Sequence, residues 1–156
     1  RSAARGFKNY FLGATERVLN RLESRMIERF PGLRVCGAWA PPFGEAPAEE
    51  GERIVRAIND ADPDILWVGL GSPKQDRWMA QNRPRLNVPV MVGVGAAFDF
   101  LSGAKPQAPV WMQRSGLEWL FRLSTEPKRL WKRYLVGNTQ FIYHVAKEWF
   151  LRVPQK

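Results

Sequence analysis

The sequence has one cysteine, one histidine and no apolar run long enough to cross a bilayer. The single cysteine, Cys36, cannot form an internal disulfide, which fits a reducing compartment. Together with His144 it provides no cluster of metal ligands, and no Ser/His/Asp or Cys/His arrangement typical of nucleophilic catalysis is discernible. Neither a Walker A loop nor a GxGxxG fingerprint occurs. We therefore expect no bound metal and no cofactor.

One acidic run, DADPD at residues 60–64, resembles a carboxylate site for a hard cation. It precedes a predicted strand, so it should lie at the amino-terminal end of that strand. Parallel sheets bind ligands at the opposite edge. We expect no metal site there either.

Positive charge is in excess and is unevenly placed. The net charge is +9: residues 1–34 carry eight Lys/Arg against three Asp/Glu, residues 35–104 six against nine, and residues 105–156 ten against three. The three segments are thus +5, −3 and +7. Basic ends favour an anionic partner, whether nucleic acid, a phospholipid surface or a phosphorylated substrate. No RNP, KH or helix-turn-helix signature accompanies the charge, so we expect no nucleic-acid role.

Apolar strands alternate with amphipathic helices in the first two thirds of the chain. The pattern predicts strands at 8–14, 33–39, 63–70 and 88–94, with helices at 15–30, at about 49–59 and over roughly ten residues after Gly71. Thr15 is a suitable N-cap for the first helix. Such alternation with short connections is typical of a parallel sheet with right-handed crossovers. We predict an α/β, Rossmann-like domain over residues 1–104, with ligands beyond the carboxyl ends of its strands.

Three glycine-bearing loops follow predicted strands at that edge. They are residues 13–15, 69–75 and 93–99, and they contain Gly13, Gly71 and Gly95. In the third loop, small residues would let a substrate lie against the backbone. Asp99 could bind a ribose or sugar hydroxyl there, or it could cap a helix or form a salt bridge within the fold.

The second loop lies in the stretch VGLGSPKQDRW, residues 68–78. Ser72 could cap the following helix, whose N-terminus is a suitable anion site. Lys74 could face phosphate, and the amide of Gln75 could contact a sugar hydroxyl or a uracil edge. The alternative is an ordinary strand–helix turn with solvated polar side chains.

The last third of the chain contains no further evident strand. Residues 102–113 are predicted as a loop or short turn, 117–123 as a short helix, and 126–152 as one long helix with Pro127 in its first turn. The long helix carries aromatic and aliphatic residues on one face and Lys/Arg on the other, which is typical of a membrane-interface element. Alternatively, its apolar face packs on the domain and its basic face is only solvated. We predict a basic amphipathic helical appendage over residues 105–156.

Three motifs in order, DILWVGLGSPKQDRW, VGVGAAFDFLSG and APVWMQRSGLEWLFRLSTEPKRLWKRYL, resemble the WecG/TagA/CpsF family of bacterial glycosyltransferases. FLGA and RFPGLRVCGAW are similar to the family's earlier strands, so the resemblance extends over essentially the whole chain. It implies transfer of a sugar from a UDP-sugar to a polyprenyl-diphosphate-linked acceptor in cell-surface polysaccharide synthesis, including teichoic acid and exopolysaccharide. The implied reaction is inverting and needs no bound metal. The implied location is cytoplasmic, peripheral to the inner face of the cell membrane.

The resemblance also implies roles for individual residues. Gln75 matches the active-site glutamine of the family's Gly-x-Pro-Lys-Gln motif, and the glycine loops 69–73 and 93–96 would hold the nucleotide. The predicted substrate-binding set is Gly13, Gly71, Ser72, Lys74, Gln75, Gly95 and Asp99. The basic side chains expected to approach the lipid diphosphate are Arg122, Arg129, Lys132 and Arg133. Gln107 stands where the family often has arginine, so a phosphate contact is not carried over to it.

No catalytic base can be assigned, because the family's proposed catalytic aspartate lies in an N-terminal portion outside this chain. The chain begins with Arg1, and we expect it to be a fragment that is inactive alone. The rival hypothesis is a non-catalytic nucleotide-binding module whose basic helix docks on a protein or RNA partner. The transferred sugar, the acceptor and the oligomeric state, a homo-oligomer included, stay open.

Overall fold

The computed structural model describes residues 1–42, 48–132, 139–140, 143–145 and 147–148. Its backbone contacts divide the chain into two compact units, Arg1–Pro106 and Gln107–Lys156. The first unit contains the sheet. The described residues of the second are helical or lie in connecting turns.

Strands and helices alternate along the first unit, as the sequence predicts. In order they are α1 (Ser2–Arg5), β1 (Lys8–Gly13), α2 (Glu16–Arg29), β2 (Arg34–Trp39), α3 (Ala48–Ala61), β3 (Ile65–Gly69), α4 (Lys74–Asn82), a 3₁₀ helix (Arg83–Arg85), β4 (Val90–Gly93) and α5 (Ala97–Leu101). The four strands and α2, α3 and α4 fall on the predicted segments. The sequence did not predict α1 and α5, because helices of four and five residues are too short to show a helical period.

The four strands form one parallel sheet in the order β2-β1-β3-β4. This confirms the predicted α/β architecture. The chain runs from β1 to β2 on one side, then returns past β1 to reach β3 and β4 on the other. The direction of winding therefore reverses between β1 and β3, which pair in register from Asn9↔Ile65 to Gly13↔Gly69.

Helices cover both faces of the sheet, which explains why its central strands are almost continuously apolar. One face packs against α3 and α4, and its buried cluster contains Tyr10, Leu12, Ile54, Val55, Ile58, Leu66 and Val68. The other face packs against α2 and α5 through Phe11, Val18, Leu19, Leu22 and Phe98. Side chains of β1 alternate between the two clusters, as a strand's two-residue period requires. The helices after β1 and after β3 thus lie on opposite faces.

A closed hydrogen-bond network holds the amino-terminal edge of the sheet. Asn9 of β1 is 2% exposed. Its Oδ1 accepts a hydrogen bond from Trp67 Nε1 at 3.0 Å, and its Nδ2 donates to the carbonyls of Phe7 and Arg34 at 2.7 and 3.1 Å. One side chain therefore links β1 to both neighbouring strands and satisfies polar groups that burial would otherwise leave without water.

The acidic run at 60–64 lies at the same edge, as predicted. Asp64 Oδ2 accepts the backbone N–H of Lys8 at 2.7 Å, and Asp62 Oδ2 pairs with Lys8 Nζ at 2.5 Å. The two carboxylates therefore contact the start of β1 and lie at the end of the sheet opposite the glycine loops.

The described helices of the second unit are α6 (Val110–Arg114), α7 (Glu118–Thr125) and α8 (Pro127–Lys132). Helix α6 begins within the segment predicted as a loop or short turn, so that prediction was wrong for residues 110–113. Helix α8 begins at Pro127, the residue expected in the first turn. Beyond Lys132, residues 139–140, 143–145 and 147–148 are helical, and the rest of the predicted helix lies outside the described residues. A single basic amphipathic helix over 126–152 stays a prediction.

Candidate functional site

The three glycine-bearing strand ends meet at the carboxyl edge of the sheet. Gly13, the last residue of β1, pairs with Gly69 of β3, and Val68 of β3 pairs with Gly93 of β4. The first pair is in close contact, because a Cβ added to Gly13 would lie 2.5 Å from the carbonyl carbon and oxygen of Gly69. Gly13 also has φ +129°, which disfavours any side chain. The loops at 13–15, 69–75 and 93–99 therefore begin at neighbouring strand ends.

This edge coincides with the reversal of winding between β1 and β3. In open α/β sheets, ligands bind in the crevice outside the carboxyl ends of the strands where the winding reverses, because the flanking helices leave in opposite directions. Here α2 follows β1 on one face and α4 follows β3 on the other. The topology therefore places the candidate site at the carboxyl ends of β1 and β3, beside Gly13 and Gly69.

The turn from β1 into α2 places two unusual backbone positions at this edge. Ala14 adopts φ +57°, a left-handed conformation that is uncommon for a residue with a side chain. Thr15 caps α2 as predicted, since its Oγ1 accepts the Val18 N–H at 3.4 Å. Ala14 is thus an unusual backbone position at this edge that the sequence pattern did not reveal, and Asp62 is a second one at the opposite edge, with φ +46°.

The loop between β3 and α4 is open at its centre. Gly71 has φ +78°, and a Cβ there would meet no atom within 4 Å. The expectation that Ser72 caps α4 was wrong: Pro73 is the N-cap residue and no side chain caps the helix. Instead the Ser72 hydroxyl donates to Asp76 Oδ2 at 2.8 Å. Lys74, the first residue of the helix, is exposed, as a phosphate contact would require.

Gln75 is buried at this edge, whereas the sequence suggests an amide that reaches a ligand. The side chain is 8% exposed, and its Oε1 accepts the Gly95 N–H at 2.9 Å. Its Nε2 lies only 2.9 Å from the position that a Cβ of Gly93 would occupy. The amide therefore links the loop after β3 to the loop after β4.

The loop between β4 and α5 is anchored a second time by an aromatic ring. Phe98 is 4% exposed, and its ring fills the space where a side chain on Gly69 would lie, with Cδ2 2.5 Å from that Cβ position. The ring meets Phe11 edge-on, with 5.7 Å between the centroids. Gly95 is left with φ +55° and open space beside it. Phe98 was missed at the sequence level, because nothing local indicates which distant glycine a ring will cover.

Asp99 forms an ion pair with Lys105, with 3.4 Å between Oδ2 and Nζ. Both side chains are partly exposed, at 28% and 32%. This is the intramolecular alternative left open for Asp99. An exposed pair of this kind contributes little to stability, roughly 0–1 kcal/mol, so it does not prevent the carboxylate from turning to a ligand.

Two ionisable groups of the sheet have shifted pKa values. Burial raises the pKa of the Tyr10 phenol, and the neighbouring Cys36 adds to the shift. Burial likewise raises the pKa of the Cys36 thiol above its ordinary value. Both residues lie within β1 and β2 rather than in the loops, so these shifts reflect core packing.

The basic residues expected near a lipid diphosphate lie in the second unit. Arg122 on α7 pairs with Glu118 one turn earlier. Arg129 and Lys132 lie on α8, and their side chains are outside the described residues, as is all of Arg133. Over the described ranges of the chain, no three His, Cys, Asp or Glu residues come together as metal ligands. Among the same residues, no helix has the length and apolar character needed to cross a membrane.

Comparison with known proteins gives matches over nearly the whole chain. The model of the glycosyl transferase WecG/TagA/CpsF family matches residues 1–155. A Staphylococcus aureus (strain NCTC 8325 / PS 47) N-acetylglucosaminyldiphosphoundecaprenol N-acetyl-β-D-mannosaminyltransferase is 31% identical over 140 residues, which are 90% of this chain and 52% of the relative. The Bacillus subtilis (strain 168) protein of the same name is 33% identical over 129 residues, 82% of this chain and 48% of the relative. The chain thus spans about half the length of these relatives.

Proposed function

The chain belongs to the WecG/TagA/CpsF family of glycosyl transferases, and from this we propose that its sheet unit binds the UDP-sugar donor of an inverting transferase. The observation that carries the proposal is the meeting of three glycine-bearing strand ends at the point where the winding of the sheet reverses. Such an edge suits a nucleotide diphosphate, because ligands of open α/β sheets bind where the winding reverses and because glycine lets a ligand approach the backbone closely.

The acceptor that we propose is a sugar linked to a polyprenyl diphosphate. Both relatives are named for transfer to N-acetylglucosaminyl-diphospho-undecaprenol, and that name supports the same acceptor class here. N-acetylmannosamine, the sugar in the same names, is the first donor sugar to test. The product would enter a bacterial cell-surface polysaccharide.

Inversion requires a base that removes the proton of the acceptor hydroxyl and a site that stabilises the departing UDP. Within this chain, we propose that Lys74 and the backbone of the loops at Gly13, Gly71 and Gly95 stabilise the developing negative charge on the diphosphate. Asp99 would bind a donor hydroxyl on leaving its pair with Lys105. We assign the base to no residue of this chain.

We propose that the second unit holds the enzyme at an anionic membrane surface. Seven large hydrophobic side chains of its described residues are at least 44% exposed: Val110, Trp111, Trp119, Leu120, Trp131, Tyr143 and Val145. Residues 105–156 also carry ten Lys/Arg against three Asp/Glu. Exposed tryptophan beside excess positive charge is typical of proteins that bind the membrane interface reversibly. Arg122, Arg129, Lys132 and Arg133 are the proposed contacts to the lipid diphosphate.

The test of the transferase proposal is an assay of the full-length protein with UDP-N-acetylmannosamine and a polyprenyl-diphosphate-linked N-acetylglucosamine. Transfer that inverts the anomeric centre is the expected result. A panel of other UDP-sugars identifies the donor if this one is not used. UDP binding by a full-length protein that transfers none of the panel would instead support a nucleotide-binding module.

The test of the membrane proposal is flotation with anionic vesicles. The double variant Trp111→Ser/Trp119→Ser should float less than the wild type, and high salt should weaken binding of both. Ile27→Ser is the matched control, because Ile27 is also 44% exposed but lies in the sheet unit. Equal flotation of all three proteins would contradict the proposal.

A further inference from the structure

We infer that Gln75 is a positioning residue, whose buried amide holds the loop after β4 in the shape that binds the nucleotide. The inference rests on the proposed function. It assigns Gln75 a different role from the direct ligand contact expected from the sequence.

The first support is the direction of the Gln75 side chain. As the second residue of α4, it could extend outward as its neighbours Lys74 and Asp76 do, yet it is 8% exposed. Its Oε1 receives the N–H of Gly95, a residue 20 positions later, at 2.9 Å. A buried amide that accepts a backbone hydrogen bond from another loop fixes the position of that loop.

The second support is the space left by Gly93. A Cβ at this position would lie 2.9 Å from Gln75 Nε2 and 3.2 Å from its Cδ. The conformation of Gly93 does not demand glycine, since its φ lies outside the left-handed range. The requirement is therefore for space, and that space is occupied by the Gln75 amide.

The consequence concerns the backbone of the loop between β4 and α5. The Gly95 N–H is already bonded to Gln75, so this group is not a donor to the ligand in this arrangement. Loss of the Gln75 oxygen would leave the part-buried N–H of Gly95, a residue with φ +55°, without its hydrogen-bond partner. The loop would then lose the contact that orients it. Ligand affinity would fall because the loop would have to be ordered on binding.

The experiment compares variants at Gln75 and Gly93, together with Gln75→Ala and the double variant Gln75→Ala/Gly93→Ala, by UDP calorimetry, with hydrogen exchange of the Gly95 amide as a ligand-free readout. Gln75→Leu keeps the approximate volume and removes the acceptor. Gln75→Glu keeps an acceptor oxygen near Gly95 and replaces the NH₂ group. Gly93→Ala pushes the amide away without altering it. Thermal melting establishes that each variant is folded at the assay temperature.

We expect Gln75→Leu and Gly93→Ala to weaken UDP binding by roughly tenfold or more and to speed exchange at Gly95. Gln75→Glu should remain closer to the wild type than Gln75→Leu in both measurements, since its carboxylate still accepts the N–H near a helix N-terminus. The double variant Gln75→Ala/Gly93→Ala should bind no more weakly than Gln75→Ala alone, because the clash is gone.

The results distinguish failure of the positioning role of Gln75 from failure of the proposed function. If folded Gln75→Leu binds UDP as the wild type does, the positioning role is wrong and the proposed function stands. If Gln75→Glu binds as weakly as Gln75→Leu while its Gly95 exchange stays slow, the amide contacts the nucleotide directly and the inference fails. If the wild type binds no UDP, the proposed function fails and the inference with it.

Discussion

The amino-terminal and carboxyl edges of the sheet differ in how their polar groups and glycines are used. At the amino-terminal edge, Asn9 and Asp64 satisfy backbone groups of neighbouring strands, so polar atoms there are committed to the fold. At the carboxyl edge, the strand ends pack glycine against glycine, and Gly71 and Gly95 open onto free space. The difference teaches that the closed polar network at one edge serves stability. The other edge is distinguished by glycine strand ends in contact where the winding of the sheet reverses, which is where a ligand is expected.

Left-handed glycines occur at both edges and provide matched pairs for testing this comparison. Gly6 and Gly32 precede β1 and β2 with φ +68° and +86°, and a Cβ on either would meet nothing within 4 Å. Gly71 and Gly95 have the same two properties at the opposite edge. An alanine at any of these four positions should destabilise the backbone by a similar amount. A difference in UDP affinity between the variants therefore shows which edge binds the nucleotide.

The largest expected effect is on the contact between strand ends. Gly13→Ala should lower the free energy of unfolding by about 3–4 kcal/mol, since its Cβ would overlap the Gly69 backbone at an unfavourable φ. Urea unfolding measures the loss. Gly32→Ala, which has the backbone cost alone, should lose only about 1–2 kcal/mol. Equal losses would show that the close packing of Gly13 on Gly69 is unimportant.

The next effect is that of replacing Asn9, which should lower stability without changing UDP affinity. Asn9→Leu should destabilise the protein by about 2–3 kcal/mol, because Trp67 Nε1 and the Arg34 carbonyl lose their buried partner. UDP affinity, measured by calorimetry on the folded variant, should stay within about twofold of the wild type, a difference of less than about 0.5 kcal/mol. Asn20→Leu on the exposed side of α2 is the control for stability. A parallel loss of affinity would contradict the division of roles between the edges.

A smaller change should affect binding more than folding. Gly71→Ala and Gly32→Ala should be destabilised alike, by about 1–2 kcal/mol. Only Gly71→Ala should also lose UDP affinity, by about tenfold or 1.4 kcal/mol, because its Cβ projects into the proposed site. Thermal melts and UDP titrations of both variants provide the measurement. The same affinity in the two proteins would place the nucleotide elsewhere.

The smallest expected effect is electrostatic. Lys74→Gln should weaken UDP binding only a few-fold, by about 0.5–1 kcal/mol, as expected for an exposed cation near a diphosphate. The loss should shrink at high salt. Arg77→Gln, an exposed cation on the same helix, serves as the control and should leave binding unchanged. Equal effects of the two substitutions would indicate a general charge effect rather than a contact by Lys74.

The sheet could be predicted because its strands are short apolar segments that alternate with amphipathic helices, and because glycine-bearing loops follow β1, β3 and β4. The contacts within the site could not be predicted, because they join residues that are distant in sequence: Gln75 with Gly95, and Phe98 with Gly69. Ser72 shows that even a local contact could not be predicted from the sequence. Its hydroxyl could either cap α4 or bond to Asp76, and the path of the backbone determines which of the two forms. Helix α6 was missed because one turn and a half of helix carries too little periodicity.

The most direct test of a nucleotide at the carboxyl edge is a UDP titration followed by amide NMR, which suits a chain of 17.9 kDa. We predict that shifts concentrate in the loops at 13–15, 69–76 and 93–99, while the amides of Gly6 and Gly32 stay unchanged. Shifts centred on the amino-terminal edge, or none at saturating UDP, would contradict the account.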